Sequence, residues 1–386
     1  MKISNAIVIG AGVAGLATAT ALARQGIAVT VLEQADAIRE IGAGLQISPN
    51  GLAVLRALGL TRVLAAYHPV TAQAVVLRAF DQPDSGPVAR LDLSRYSAEH
   101  RYLFVHRADL IACLQNAARQ ANVSFEMNAH VARVIPGAMP TLHMDDGSTR
   151  KAELIVGADG IRSVARGVLN GADAATFSGQ VAWRAVVPNS VDHPDVAQVT
   201  MGPGRHLVSY PLRGGKLVNL VAVEECKEWA AEGWMQADEP ENLRAAFADF
   251  GGMPAKMLNA VRDVTLWGLH HHPVAQQWTA QGVALVGDAA HPTLPFLAQG
   301  ANMALEDAWV LADCITKGLP LEIYQSRRHK RVTRVIRTAK GNARRYHLRP
   351  GPVRWAAHTG LRLGSTFAPG VMLGAFDWLY KTDVTK

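Results

Sequence analysis

The chain is poor in cysteine, in charged residues and in low-complexity sequence. Its cysteines are Cys113, Cys226 and Cys314, which lie far apart in a chain of 386 residues. Such spacing fits neither a zinc site nor a disulfide framework, so we expect three free thiols in a protein of the reducing cytoplasm. Charged residues make up 18% of the chain and apolar residues 49%, which predicts an ordered globular protein with a large buried core.

The chain also lacks a segment with the pattern of a membrane span. Residues 6–23 are uncharged, but their glycine spacing argues against a signal peptide or an anchor. The apolar tail at residues 355–380 contains Arg362 and Asp377, and Pro369 would interrupt a spanning helix. We therefore expect no membrane insertion. The tail is predicted to pack on the body of the protein or on a second subunit of a homodimer.

A formal net charge of +7 raises the question of nucleic-acid binding. The excess is concentrated in Arg327, Arg328, Lys330, Arg331, Arg334, Arg337, Lys340, Arg344 and Arg345. Basic residues recurring in this way indicate the solvated face of a helix. A positive field there would attract anionic ligands without setting specificity, and we predict no nucleic-acid partner.

Hydrophobic patterning predicts an α/β fold. Residues 5–10 form an apolar, β-branched run, residues 12–25 have helical spacing, and residues 27–33 supply the next strand. This βαβ opening is typical of a doubly wound parallel sheet. Residues 177–267 contain alternating strands instead, and a parallel-sheet strand returns at residues 283–286.

The predicted architecture is a Rossmann-like domain, discontinuous in sequence, with an inserted, mainly antiparallel β-sheet substrate domain and C-terminal helices. The predicted boundaries are 1–75, 101–175 and 270–340 for the Rossmann-like domain, 76–100 and 176–269 for the inserted domain, and 341–386 for the C-terminal helical region.

The first motif that carries chemistry is Gly10-Ala-Gly12-Val-Ala-Gly15, between a strand and a helix. Gly10 permits a tight turn, Gly12 allows backbone to approach a pyrophosphate, and Gly15 lets the helix pack on the strand. Glu33 ends the next strand, about 20 residues on, where an acidic side chain binds a ribose hydroxyl. The motif favours dinucleotide binding but does not choose between FAD and NAD.

Two further strand-to-helix turns follow. Asp159 lies in the sequence Leu-Ile-Val-Gly-Ala-Asp-Gly, and Asp288 follows a strand in Val-Ala-Leu-Val-Gly-Asp-Ala-Ala-His. A carboxylate at the end of a strand, as at Asp288, is well placed to accept hydrogen bonds from cofactor hydroxyls. The helix that begins after Gln299 could stabilise negative charge at its N-terminus.

These three motifs, in this order and at these separations, resemble the group A flavoprotein aromatic hydroxylases. The segments 42–50, 105–110 and 206–215 resemble its salicylate hydroxylase and 3-hydroxybenzoate 6-hydroxylase branch. The resemblance implies bound FAD, NADH or NADPH as electron donor, and dioxygen and a small phenolic acid as substrates. It implies that Arg107 contacts FAD and that Ala14 and Ala301 contribute backbone contacts. The candidate cofactor-binding residues are Gly10, Gly12, Ala14, Gly15, Glu33, Gln34, Arg107, Val131, Asp159, Asp288, Gly300, Ala301 and Asn302.

In that family, reduced flavin reacts with dioxygen to form a C4a-hydroperoxide, which transfers hydroxyl to an electron-rich ring. Removing the proton of a phenol activates such a ring. The candidates for this base are His206 and Tyr210, because residues four apart on a strand share a face. Arg184 could anchor a substrate carboxylate, although a surface ion pair explains it equally well.

Two positions bear on the substrate. Gln46 stands where 6-hydroxynicotinate 3-monooxygenases carry a histidine base, which argues against that substrate. Pro295 stands where some 3-hydroxybenzoate 6-hydroxylases carry glutamine, which puts that activity in doubt. The histidines at 270–272 have no acidic or cysteine partner nearby, and we predict no metal.

Two functions of other classes stay open beside the hydroxylase. A flavin oxidase or dehydrogenase would take hydride from its substrate and would form no hydroxylated product. The apolar tail prompts the other hypothesis, a flavin-binding regulatory or membrane-associated protein that has lost catalytic turnover. For the hydroxylase, the nicotinamide is expected to visit transiently near Asp159, because one glycine motif leaves no second nucleotide domain.

Overall fold

The structure is a computed structural model that describes residues 3–38, 43–83, 85–171, 175–227 and 235–386. Gly42, the first residue of the segment 42–50, lies outside these ranges. The strands in chain order are β1 (Asn5–Ile9), β2 (Ala28–Leu32), β3 (Gly44–Ile47), β4 (Val70–Thr71), β5 (Ala74–Ala79), β6 (Ala89–Asp92), β7 (Leu103–His106), β8 (Ser124–Glu126), β9 (Val131–Ile135), β10 (Thr141–Met144), β11 (Thr149–Lys151), β12 (Leu154–Gly157), β13 (Thr176–Pro188), β14 (Val196–Gly202), β15 (Arg205–Leu212), β16 (Leu217–Glu225), β17 (Met235–Asp238), β18 (Val264–His271), β19 (Thr279–Ala280) and β20 (Val283–Leu285).

The α-helices in chain order are α1 (Val13–Ala23), α2 (Pro49–Ala57), α3 (Thr61–Ala65), α4 (Arg107–Gln120), α5 (Val164–Asn170), α6 (Pro240–Ala246), α7 (Met253–Asn259), α8 (Gly300–Thr316), α9 (Leu321–Tyr346), α10 (Pro352–Phe367), α11 (Pro369–Gly374) and α12 (Asp377–Tyr380). Short 3-10 turns lie at Gly160–Arg162, Gly287–Ala289 and Pro295–Leu297, among others.

A six-stranded sheet, in the order β19-β20-β12-β1-β2-β8, forms the nucleotide-binding layer. Its strands are parallel except for the short edge strand β19. The central strands β1 and β12 are largely apolar because helices such as α1 cover the sheet, and Val8 and Val156 are fully buried. The carboxyl ends of β1, β12 and β20 therefore lie together at one edge, where ligands bind in such sheets.

An eight-stranded sheet, in the order β17-β18-β13-β16-β15-β14-β5-β6, forms a second layer. It is antiparallel except where β14 pairs with β5. Alternation along its strands sends Trp183, Leu207 and Leu220 to one face, where they pack on Phe247 and Met257 at α6 and α7. The opposite face turns toward the nucleotide-binding layer. The predicted α/β class, with a parallel nucleotide-binding sheet and a mainly antiparallel sheet, is confirmed; the domain boundaries stay a prediction.

One interpretation from the sequence is wrong. The basic residues of α9 do not all form a solvated face, because Arg328 is buried and Arg331 is mostly buried. Arg328 pairs with Glu306 and Asp307 on α8, and Arg331 also binds Glu306. These guanidinium groups neutralise two carboxylates that have no access to water. Removing one partner of such a buried pair costs about 3–5 kcal/mol.

The apolar tail is helical and packs partly on the body of the protein. Leu373, Leu379 and Tyr380 are buried, whereas Trp355 and Phe367 are 71% and 80% exposed. Packing on a second subunit stays a prediction. In the described part of the chain, every helix is too short or too polar to cross a membrane.

Candidate active site

The three glycine and aspartate turns meet at the carboxyl edge of the parallel sheet. Gly10 adopts a φ of 99°, and a Cβ there would lie 2.6 Å from the carbonyl oxygen of Ala158. A Cβ on Gly287 would lie 2.7 Å from the Cβ of Ala14. The first turn therefore touches both the turn of Asp159 and that of Asp288, and only glycine allows this approach.

The first turn has open space where a pyrophosphate would lie. A Cβ on Gly15 would come within 1.9 Å of the Gly10 carbonyl oxygen, whereas a Cβ on Gly12 would meet no protein atom within 4 Å. Glu33 follows β2 and accepts a hydrogen bond from the amide of Ala11 at 2.8 Å. The tight turn at Gly10 and the close helix packing at Gly15 agree with the sequence analysis, whereas the binding of pyrophosphate at Gly12 and of ribose by Glu33 stays a prediction.

Two other predicted cofactor residues lie near the end of β2. Gln34 is exposed directly after Glu33. The amide of Ala129 donates to the carbonyl of Glu33 at 2.9 Å, so the segment before Val131 lies beside the end of β2. Their contact with a cofactor stays a prediction.

Asp288 follows β20 at the carboxyl edge of the parallel sheet. Its side chain is accessible to solvent, yet the surrounding protein desolvates the carboxyl and raises its pKa, a shift that His291 and Arg107 oppose. Asp159 is half-buried: burial raises its pKa, one carboxyl oxygen accepts from the amide of Val164 at 2.8 Å, and the other has no hydrogen-bond partner among the described residues.

A buried hydrogen-bond network around Asp307 holds the turn that carries Asp288. One carboxyl oxygen of Asp307 accepts from the amide of Gly287 at 3.0 Å and lies 2.5 Å from Nε2 of His291. The other oxygen accepts from Nε of Arg328 at 2.7 Å. Despite burial, these partners hold the pKa of Asp307 below its ordinary value.

The N-terminus of α8 packs on β3. Asn302 is fully buried: its amide group donates to the carbonyl of Gln46 and its oxygen accepts from the amide of Ser48. The predicted role of Asn302 in cofactor binding can therefore be filled only by its backbone. Gly300 and Ala301, beside it, are half-buried at the first turn of the helix.

Arg184 on β13 and Arg107 on α4 lie near Asp288, and Tyr210 lies near Arg184 on the same sheet face. The charge of Arg184 acts on Asp288, and burial and Arg107 lower the pKa of Arg184. The guanidinium carbon lies 4.8 Å from the centre of the Trp267 ring, and Nε has no hydrogen-bond partner among the described residues. This environment is not that of a surface ion pair.

Tyr210 is 4% exposed and packs against Phe104, with ring centres 5.0 Å apart. A Cβ on Gly44 would lie 2.7 Å from its hydroxyl, so glycine is needed for this packing. The side-chain oxygen of Gln46 accepts from the hydroxyl of Tyr102 at 2.8 Å. Burial raises the pKa of Tyr210, and its phenol therefore stays protonated at neutral pH.

His206 is 1% exposed and lies on the same face of β15 as Tyr210. Its ring packs 5.5 Å from that of Phe296, which follows Pro295 in the 3-10 turn after Asp288. Burial, reinforced by His347, holds the pKa of His206 well below its ordinary value. His206 is therefore a neutral imidazole at neutral pH.

Comparison with known proteins identifies the family to which the chain belongs. A family model described as an FAD binding domain matches residues 4–339. The chain is 39% identical to 3-amino-4-hydroxybenzoate 2-monooxygenase of Streptomyces cremeus, over 89% of this chain and 88% of that protein. It is 32% identical to 3-hydroxybenzoate 6-hydroxylase of Polaromonas naphthalenivorans (strain CJ2), over 98% and 96%. The chain belongs to the FAD-dependent aromatic monooxygenases.

A solved salicylate hydroxylase substrate complex has the same fold as this monooxygenase. The TM-score is 0.82 at 24% identity, over 100% of this chain and 96% of that one. The resemblance to group A flavoprotein hydroxylases and the prediction of FAD as cofactor are thus confirmed. The regulatory protein without turnover is not supported by these relatives, which are named as enzymes.

The residues of this monooxygenase fit FAD at the carboxyl edge of the parallel sheet. The open space at Gly12 fits a phosphate. The accessible carboxyl of Asp288 and the unpartnered oxygen of Asp159 can accept hydrogen bonds from cofactor hydroxyls. Arg107 adds a positive charge near Asp288. FAD bound there would supply the redox and oxygen-transfer chemistry that side chains lack.

Sequence patterns missed one polar residue of the monooxygenase site. Asn219 on β16 faces the same way as Tyr210 and is 1% exposed. Its side-chain oxygen accepts from the amide of Gly44 at 2.6 Å, while its Nδ2 has no hydrogen-bond partner in the described chain. The one available signal was an amide between Val218 and Leu220 in an otherwise apolar strand.

Proposed function

We propose that this chain uses NADH or NADPH and dioxygen to hydroxylate a small phenolic acid of the salicylate or hydroxybenzoate type. The observation that carries this proposal is one face of the eight-stranded sheet, which carries Arg184, Tyr210 and His206 and from which the charge of Arg184 acts on Asp288. In this proposal, that face supplies an anion anchor and two groups able to handle a phenolic proton beside the FAD site.

Each residue has a separate role in the proposal. Arg184 binds the substrate carboxylate, since a partly desolvated guanidinium favours paired charged hydrogen bonds. His206 takes the phenolic proton, because a neutral imidazole has a free lone pair. Tyr210 stays protonated and donates a hydrogen bond to the substrate oxygen, where it stabilises the phenolate. Gln46 and Pro295 line the pocket and restrict the ring that fits.

The nicotinamide is proposed to reach the flavin transiently, near Asp159. Homodimer formation and a cytoplasmic location belong to the same proposal. The names of the relatives, which act on hydroxylated and aminated benzoates, support a benzoate-type substrate.

The test is a screen of salicylate, hydroxybenzoates, aminohydroxybenzoates and hydroxynicotinates for accelerated oxidation of NADH and NADPH. Product analysis under isotopically labelled dioxygen separates the reaction classes. A hydroxylase places one labelled oxygen atom in the ring, whereas an oxidase sends all of the label to hydrogen peroxide. Label found only in peroxide with every acid would overturn the proposal.

A further inference from the structure

A continuous row of hydrogen bonds leads from the buried His206 to the protein surface. Nδ1 of His206 lies 2.7 Å from Nε2 of His347, and Nδ1 of His347 lies 2.9 Å from Oε1 of Glu225. Both histidines are buried, while the side chain of Glu225 is 51% exposed. The row therefore has one end on the sheet face that carries Arg184 and Tyr210 and the other end in water.

The fold brings these three side chains together from distant segments. Glu225 ends β16 on the same face as His206, because Val223, two residues earlier, pairs directly with His206. His347 caps the C-terminus of the 26-residue helix α9. The amide of Gly204, before β15, donates to the carbonyl of His347 at 3.3 Å, which holds the helix end against the sheet.

The hydrogen bonds fix the proton positions. A carboxylate only accepts hydrogen bonds, so Nδ1 of His347 must carry a proton. Nε2 of a neutral His347 is then an acceptor, and Nδ1 of His206 must be the donor to it. A neutral His206 therefore has its lone pair on Nε2, which is the atom a base needs.

We propose that His347 and Glu225 form, with His206, a proton path between the substrate pocket and the solvent. The proposal rests on the proposed function, in which His206 is the base. His347 and Glu225 do not touch the substrate; they are positioning residues that set the tautomer of His206 and accept the proton that it passes on.

The transfers balance without any redox step. As Nε2 of His206 takes the phenolic proton, its Nδ1 proton moves to Nε2 of His347, and the Nδ1 proton of His347 moves to Glu225 and on to water. When the phenolic oxygen of the product regains a proton, the same path runs in reverse. The return restores the original tautomers for the next turnover.

The surroundings suit such a path. Burial lowers the pKa of His347, which Glu225 partly offsets, so this histidine is neutral at rest. The C-terminal end of α9 favours a positive charge, which eases the transient imidazolium on His347. Tyr346 also packs on His206, and burial raises its pKa to about 12, so it stays a neutral phenol.

The first test replaces the outer acceptor while keeping the packing. Glu225→Gln retains an oxygen that accepts from His347 but cannot take up its proton. Hydroxylation by the FAD-loaded variant in dilute buffer should slow by about tenfold or more, as for loss of a general acid-base group. Added imidazole should restore much of the rate, and Glu225→Asp should keep most of it. The control is Glu224→Gln, since Glu224 points to the other face of the sheet, toward Arg205.

The second test needs no turnover. Nitrogen NMR of the wild-type holoenzyme, labelled in its histidine rings, should show protons on Nδ1 of His206 and of His347, with Nε2 of both unprotonated. The opposite tautomers, or a wild-type rate in Glu225→Gln without any effect of imidazole, would overturn the path. Failure of the proposed function looks different, because wild-type protein would then yield no hydroxylated product from any acid in the screen.

Discussion

The cofactor side and the substrate side of the site are built in different ways. The cofactor side consists of three short, contiguous turns in which backbone atoms touch, as at Gly10 and Ala158. The substrate side is assembled from single side chains on separate strands, such as Arg184 on β13 and Tyr210 on β15. A contiguous turn is visible in the sequence as a motif, whereas side chains that meet from separate strands appear in the sequence only as isolated residues.

The comparison predicts that small steric changes matter most on the cofactor side. In Gly15→Ala the new Cβ would lie 1.9 Å from the Gly10 carbonyl oxygen, so the turn must shift. We expect a loss of roughly 1–3 kcal/mol of folding free energy and less than about a tenth of the wild-type FAD. Flavin absorbance per protein and urea unfolding measure the two effects. Gly137→Ala, which meets no atom within 4 Å, is the control; full FAD in Gly15→Ala would remove the steric argument.

This contrast explains how far the sequence could be interpreted. The glycine turn at Gly10 and the aspartate turn at Asp288 were predicted with their strands and helices, since each motif is local. The buried role of Arg328 was missed, because its carboxylate partners lie on another helix and composition alone resembles a solvated face. His347 was missed because 141 residues separate it from His206. Only the packing of α9 on the sheet joins them.

On the substrate side, Arg184→Met should change substrate binding and spare the cofactor. Loss of charged hydrogen bonds worth about 1.5–3 kcal/mol raises the KM for a carboxylated phenol by roughly 10- to 150-fold. FAD content should stay at the wild-type level. Steady-state kinetics with the acid and with the phenol that lacks its carboxylate provide the measurement. An equal rise in KM for both compounds would show that Arg184 does not bind the carboxylate. Arg205→Met, on the other face of the sheet, is the matched control.

A smaller effect is expected for Tyr210→Phe, which removes only a hydroxyl. Hydroxylation should slow by about tenfold through loss of one hydrogen bond to the phenolate, while FAD affinity is unchanged. Tyr324→Phe is the counterpart on the cofactor side, where the hydroxyl donates to the carbonyl of Leu285 at 2.9 Å. It should lower stability and leave the rate of the FAD-loaded enzyme intact. Rapid-quench product analysis distinguishes the two variants, and equal rates for Tyr210→Phe and wild type would exclude its hydroxyl from the reaction.

The smallest expected effect is a difference between the two sides of the site in how pH changes the free energy of unfolding. Burial holds the pKa of His206 below its ordinary value of about 6.5. The unfolded chain thus binds a proton at this residue in mild acid that the folded chain does not, and stability falls as pH drops below about 6.5, by up to about 1.4 kcal/mol per pH unit. The pKa of Asp307 is depressed, so the folding stability that its carboxylate contributes is lost only when the pH falls below the ordinary range of a carboxyl. His206→Asn should therefore reduce the dependence of the free energy of unfolding on pH between about pH 6.5 and 5 in urea titrations, while other buried histidines such as His193 keep their share. His130→Asn, at an exposed histidine, is the control. An unchanged slope in His206→Asn would show that folding does not change proton binding at His206, against the buried neutral imidazole described above.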